Sequence, residues 1–176
     1  IYQEPEVRSI SAPECLQRAS FQLSVARTEQ LPPDRGAEAA FSGRSNAGKS
    51  SALNAITGRK ALARVSKTPG RTRLINYFRL DDEHALVDLP GYGYAAVAAE
   101  VRAGWDELLG GYLRRRKSLR GVMLIMDSRH PLSDYDLALL DYCTAAHRPV
   151  HVLLSKCDKL SHSERIATLR KVRQAL

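Results

Sequence analysis

The chain has 176 residues, 44% apolar and 26% charged, the makeup of one soluble globular domain with a sizeable core. No apolar run approaches the roughly 18 residues that span a bilayer, and the opening "IYQEPEVRSI" lacks the basic-then-apolar layout of a signal peptide, so no membrane span is expected and a cytoplasmic location is. Lys and Arg number 27 against 19 Asp and Glu, a formal +8 with pI near 9.7, which favours a polyanion such as RNA or an anionic membrane surface and identifies neither.

Residues 1–20 mix polar and apolar positions without period and read as an N-terminal extension, with Ile rather than Met at the first position hinting at a longer gene product. "FQLSVART" (21–28) alternates as a strand before the turn signal "LPPDRG", so the domain is expected over 21–176. "EAAFS" (38–42) reads as a strand, followed by a Gly-rich loop and a helix "KSSALNAIT" closed by Gly58. "LINYFRL" (74–80) and "HALVDL" (84–89) flank "DDE" as a hairpin with an acidic turn. A helix is predicted within 97–117, a buried strand at "GVMLIMD" (121–127), a helix at "LSDYDLALLDYCTAAH" (132–147), a buried strand at "PVHVLLS" (149–155) and a basic helix over 162–176. Apolar strands alternating with helices in this way predict an α/β domain with a mostly parallel central sheet and helices on both faces. The cysteines Cys15, Cys143 and Cys157 are odd in number, far apart and without a CxxC pair, so they suggest neither a disulfide framework nor a zinc site and read as packing or surface residues.

Ligands of such folds bind beyond the carboxyl ends of the strands. After the strand at 38–42 comes Gly43-Arg44-Ser45-Asn46-Ala47-Gly48-Lys49-Ser50, a full match to GxxxxGK[ST] in its strand, loop and helix setting, with Ser51 continuing the helix. The loop amides and the helix N-terminus are suited to phosphates, Lys49 to the outer phosphates and the Ser50 hydroxyl to Mg²⁺. At the end of a second apolar strand stand Asp88-Leu89-Pro90-Gly91: a carboxylate there holds Mg²⁺, commonly through water, and Gly91 offers an amide to a terminal phosphate. Alone, that stretch is only a turn; beside the first loop it is the expected partner.

Ser155-Lys156-Cys157-Asp158 follows a third strand and decides the base. Guanine presents two donors on one edge, N1–H and the N2 amine, and one carboxylate accepts both, whereas adenine would leave the charge unpaired. Lys156 is placed to lay its aliphatic stem along the base plane. SKxD is short and common, and its strand-end position and order in the chain give it weight.

In this order and spacing the three motifs resemble the translation-factor-like P-loop GTPases, whose fold is a Ras-like G domain. More closely, "GRSNAGKSS", "KTPGRTRLIN", "DLPGYGYA" and "LLSKCDKLS" resemble the EngB (YihA/YsxC) family of bacterial GTPases over residues 20–176. The resemblance implies a GTPase that binds GTP and GDP with Mg²⁺, acts as a nucleotide switch in assembly of the large ribosomal subunit and is needed for normal cell division and septation. It places Thr72, with Gly70 and Arg71, in the first switch region, where Thr72 would join Ser50 and Asp88 as a Mg²⁺ ligand and act beside Lys49 on the terminal phosphate. Without the resemblance, "KTPGRTR" is a flexible basic loop. Ribosomal RNA or a pre-large-subunit particle is the partner this implies; DNA is not, and a monomer is expected.

Ras-like proteins orient the attacking water with a Gln after DxxG, where this chain has Tyr92, so slow intrinsic turnover is expected. Asn46 is linked in related GTPases to a K⁺ that bridges phosphates, and equally it is a residue that favours a turn. Only 18 residues follow Asp158, so the last strand, the guanine-O6 loop and the closing helix of the family are expected to be missing. "LRRRKSLR" (113–120) puts five positive charges at a helix end, an RNA handle or a solvated cap. A basic RNA-binding module with a structural or inactive nucleotide site is the alternative, against which the presence of Lys49, Ser50, Thr72 and Asp88 together argues. An ATP-using kinase is disfavoured by Asp158.

Overall fold

The computed structural model describes residues 13–63, 74–91 and 108–176. Gly70, Arg71, Thr72, Tyr92, and most of the helix predicted from residue 97, lie outside the described residues. In chain order the elements are α1 (Glu14–Gln17), β1 (Ser20–Val25), β2 (Ala37–Gly43), α2 (Lys49–Thr57), β3 (Ile75–Arg79), β4 (His84–Asp88), a helix over residues 108–115 (α3), β5 (Leu119–Asp127), α4 (Asp134–Ala145), β6 (Val150–Ser155) and α5 (His162–Ala175).

The six strands form one sheet in the order β1-β3-β4-β2-β5-β6. β2 pairs in parallel with β4 and β5, and β5 in parallel with β6, while β3 pairs antiparallel with β4 and β1. The expected mostly parallel sheet is therefore present, with the hairpin on one side of it. All the parallel strands end at the same edge, the position at which such sheets collect ligands.

The period of two along β5 sorts its side chains between two cores. Val122, Leu124 and Met126 join Val25, Ile75, Tyr77 and Val87 on the face covered by Leu109, Tyr112 and Leu113 of α3 and Leu139 and Cys143 of α4. Ile125 joins Phe41, Phe78 and Leu86 on the opposite face, under Leu53 of α2. Both faces are thus covered by helix, as the apolar strand pattern predicts. α2 runs over the residues expected from the sequence and stops at Gly58, whose φ of 64° ends it in the left-handed conformation. β1 stops three residues short of the predicted end: the Gln30 side-chain oxygen accepts the N–H groups of Ala26 and Arg27 at 2.8 and 3.1 Å, drawing the chain into a short 3-10 turn, Thr28–Gln30.

At the end of the sheet away from the motifs, Glu38 of β2 is buried with an ion partner. Its carboxylate takes the Arg116 guanidinium, with Nη2 at 2.5 Å and Nε at 3.0 Å, and the Tyr112 hydroxyl at 2.8 Å. Tyr77 adds a longer bond of 3.4 Å and lies under the guanidinium, 6.0 Å from ring centroid to carbon. Arg116 also donates to the carbonyls of Pro32 and Pro33. One cation therefore joins β2, α3 and the loop before β2. Of the five charges in the predicted basic cluster, Arg116 is withdrawn from the surface, while Arg114, Arg115, Lys117 and Arg120 stay exposed.

Asp34 secures the same corner, accepting the N–H groups of Lys117 and Ser118 and the Ser118 hydroxyl at 2.9, 2.8 and 2.7 Å. Partial desolvation works to raise its pKa, but these donors and the nearby Arg116 outweigh it and bring it from 3.8 down to about 2. A depressed carboxyl stabilises the fold above the unfolded value and loses that contribution as pH falls through the folded one. Between pH 4 and pH 2 the native chain should thus lose stability more steeply than Asp34→Asn, measured as the urea midpoint against pH.

Candidate functional site

The site is built where β2, β4, β5 and β6 end. β2 finishes on Gly43, pressed so closely against β5 that a Cβ there would stand 2.5 Å from the Ile125 carbonyl oxygen. The loop then turns through Asn46 at φ 64° and Gly48 at φ 101°, conformations open to Asn and Gly and costly for most other residues. α2 begins at Lys49 with no side chain capping its first turn, unlike α4 and α5, whose first turns are capped by Ser133 and Ser161. An uncapped helix start, reached through a loop of this shape, aims its amides at an outside acceptor such as phosphate.

Lys49 and Asp88 meet here. The Lys49 ammonium donates to Asp88 Oδ1, and both side chains are largely buried, at 12% exposure. Asn76 Nδ2 lies 3.5 Å from Asp88 Oδ2 and is itself fixed by the Ser24 hydroxyl at 2.7 Å. Leu89 N–H joins the Phe41 carbonyl at 2.9 Å, extending the β2–β4 pairing past the strand, and Leu89 and Pro90 are buried. Gly91 arrives beside the first loop, where a Cβ would approach Ser45 Oγ to 3.1 Å. The second motif is therefore in place against the first.

The third motif joins the first loop through side chain to backbone bonds. The Ser155 hydroxyl bonds the Ala47 carbonyl, with the Met126 carbonyl 3.1 Å away. Lys156 has a left-handed backbone, φ 56°, and sends its ammonium to the Asn46 carbonyl. Asp158, two residues on, sits in the middle of the exposed 3-10 turn Cys157–Lys159; its carboxylate pairs with Lys159 at 3.0 Å, and this bond holds it below the usual carboxylate range. It is thus ionised and facing solvent. Ser50 sits in the first turn of α2 partly buried, and Ser51 beside it is exposed. Asp158 is not among the residues lining the cleft, which Arg44, Ser45, Asn46, Ala47 and Lys156 share with four that the motifs did not flag, Asp127, Arg129, His130 and Asp136. Asp127 ends β5 as Asp88 ends β4, so the strand-end rule pointed to it although no motif did.

A family model described as "50S ribosome-binding GTPase" matches residues 38–156. A probable GTP-binding protein EngB from Aromatoleum aromaticum is 58% identical over 156 residues, 89% of this chain and 72% of that protein. The chain belongs to the EngB family. A second EngB relative, from Thiobacillus denitrificans, is 56% identical over 95% of this chain and 81% of its own length. The crystal structure of a probable GTP-binding protein engB superposes with a TM-score of 0.59 at 27% identity, covering 77% of this chain and 79% of that one. Era from Aquifex aeolicus, solved with GDP and AlF4⁻, shares the fold at TM-score 0.57 and 18% identity. The EngB chain described here is accordingly a GTP-binding P-loop protein of the GTPase family with a Ras-like G-domain fold.

Proposed function

We propose that this EngB-family chain hydrolyses GTP to GDP at the cleft between the 43–50 loop and the 155–158 stretch, as a nucleotide switch in large ribosomal subunit assembly in the cytoplasm, with a consequent role in cell division and septation. The observation that carries the reading is the pair of side chain to carbonyl bonds from Ser155 and Lys156 to Ala47 and Asn46, which joins a phosphate-binding loop to a base-reading stretch. In this reading the amides of 43–50 and Lys49 take the phosphates, Asp158 takes the guanine edge, and the Lys156 stem lies along the base.

The donor set at Ser50 and Asp88, a hydroxyl and a carboxylate brought beside Lys49, suits a hard divalent ion that keeps most of its ligands from phosphate and water. Mg²⁺ there, with Thr72 as a further ligand, would neutralise charge as the terminal phosphate leaves. No group of three or more His, Cys, Asp or Glu gathers among the described residues, so such a metal would depend on the nucleotide for its remaining ligands. The partner proposed is ribosomal RNA or a pre-large-subunit particle, supported by the +8 charge and by four exposed basic side chains between 114 and 120.

Affinities for GTP, GDP and ATP on one sample, with and without Mg²⁺, test the reading. GTP and GDP should bind at least 100-fold more tightly than ATP, with Mg²⁺ tightening GTP; equal ATP affinity overturns it. Asn46 as a K⁺ partner makes hydrolysis faster in K⁺ than in Na⁺ at equal ionic strength, and equal rates remove that role.

A further inference from the structure

Asp127 stands where none of the three motifs reaches, yet it is bonded to the residue that links two of them. Its Oδ2 accepts from Lys156 Nζ at 2.8 Å. The Arg129 guanidinium closes on the same carboxylate from the other side, Nε to Oδ1 at 2.9 Å and Nη2 to Oδ2 at 2.7 Å. The Arg129 N–H adds a bond of 3.1 Å to Oδ1, and the His130 N–H takes the Asp127 carbonyl at 2.9 Å, so the turn after β5 is itself wound about this residue. The Asp127 side chain is 15% exposed and lines the cleft together with Lys156.

A lysine side chain is a flexible stem with a strongly hydrated head, and fixing it costs rotamer entropy. Bound only to the Asn46 carbonyl, the Lys156 ammonium would be free to swing out into water. The second bond, to a carboxylate at the end of a central strand, sets the direction of the stem as well as its tip. Ser155 is fixed in parallel on Ala47, so consecutive residues of one stretch are pinned to consecutive carbonyls of the other.

We propose that Asp127 is a positioning residue for guanine-nucleotide binding: by holding the Lys156 ammonium between itself and the Asn46 carbonyl, it fixes the lysine stem as the ledge on which the base lies. This rests on the reading of Ser155–Asp158 as the base-binding stretch. Asp127 acts through Lys156 and touches no reacting atom. Its carboxyl stays ionised at any working pH, held far below the usual range by the Arg129 bond first and by Lys156 in addition, against partial desolvation. Arg129 shares Oδ2 with Lys156, so it orients the carboxylate as well as neutralising it. Because the base is common to both nucleotides, GTP and GDP should depend on Asp127 equally.

The test is a double-mutant cycle on the full chain, read as the Kd for GDP and for GTP by fluorescence titration and as the unfolding midpoint without nucleotide. Asp127→Ala is expected to weaken both nucleotides about tenfold, the loss of one charge-assisted hydrogen bond. Lys156→Met is expected to weaken them at least as much, and the double variant should be no weaker than Lys156→Met alone, because the carboxylate then has no ammonium left to hold. Additive losses overturn the proposal in favour of a turn-building role for Asp127, and so does an unchanged Kd in Asp127→Ala while Lys156→Met loses affinity. Asp127→Asn, of the same shape, runs the same cycle if the alanine variant folds poorly. Unchanged guanine-nucleotide affinity in both Lys156→Met and Asp158→Asn would instead remove the base-binding stretch itself.

Discussion

Asp158→Asn is expected to weaken GTP and GDP binding by about 100- to 1000-fold and to raise affinity for xanthine nucleotides, with little effect on unfolding. The magnitude comes from two hydrogen bonds to a charged acceptor, each contributing about 1.5–3 kcal/mol, part of which the amide oxygen recovers. Xanthine replaces the N2 amine by an oxygen, so the edge that presented two donors now presents a donor and an acceptor, which the Asn amide matches. Folding should be spared because Asp158 is exposed and its ion pair with exposed Lys159 is of little consequence for stability. Competitive titration with GDP and XDP against one fluorescent nucleotide measures both changes. An unaltered GDP affinity would count decisively against Asp158 as the reader of guanine.

The second large effect is on stability. Arg116→Met is expected to cost about 3–5 kcal/mol, since it leaves the Glu38 carboxylate buried at 3% exposure with two tyrosine hydroxyls and no cation. For a domain of this length that lowers Tm by on the order of 10 °C. The deficit should be pH-dependent with a definite sign. An unpaired buried carboxyl has a folded pKa raised above its unfolded value of about 4.3, so the folded variant takes up a proton first. Its stability relative to the native chain should then improve as pH falls from 7 toward 5, whereas a simple packing defect would give a constant offset. Glu38→Gln combined with Arg116→Met should recover part of the loss, because the charge that demands a partner is gone. Thermal unfolding of the three proteins at pH 5 and pH 7 decides the matter.

Much of the fold was legible because its signals are local. The GxxxxGK[ST] loop, the helix after it and Gly58 at its end lie within sixteen residues, and the "DDE" turn sits between the two strands it joins. The strands β5 and β6 followed from apolar runs, whose side chains fill both faces of the sheet. What the sequence hid are bonds between residues far apart in the chain. Glu38 only opens an apolar strand in the sequence, and Arg116 reads as one of a basic cluster at a helix end; only their meeting across 78 positions turns both inward. The end of β1 fell three residues short because the Gln30 side chain captures amides that the ladder would otherwise use. Asp127 escaped because Arg129 and Lys156, the residues that give it meaning, share no spacing rule with it.

The bonds from Lys156 and Ser155 to Asn46 and Ala47 close loops of 110 and 108 positions. Contacts so distant are among the last a folding chain can make, since the entropy of bringing the ends together must be met by the strands between them. β2, β5 and β6 must have registered before the two carbonyls and their donors can face one another. A partly folded chain lacking β6 would therefore lack the base-binding stretch and hold nucleotide less tightly than the completed molecule. Nucleotide should accordingly stabilise the completed molecule most, by an amount that grows with the logarithm of its concentration above Kd.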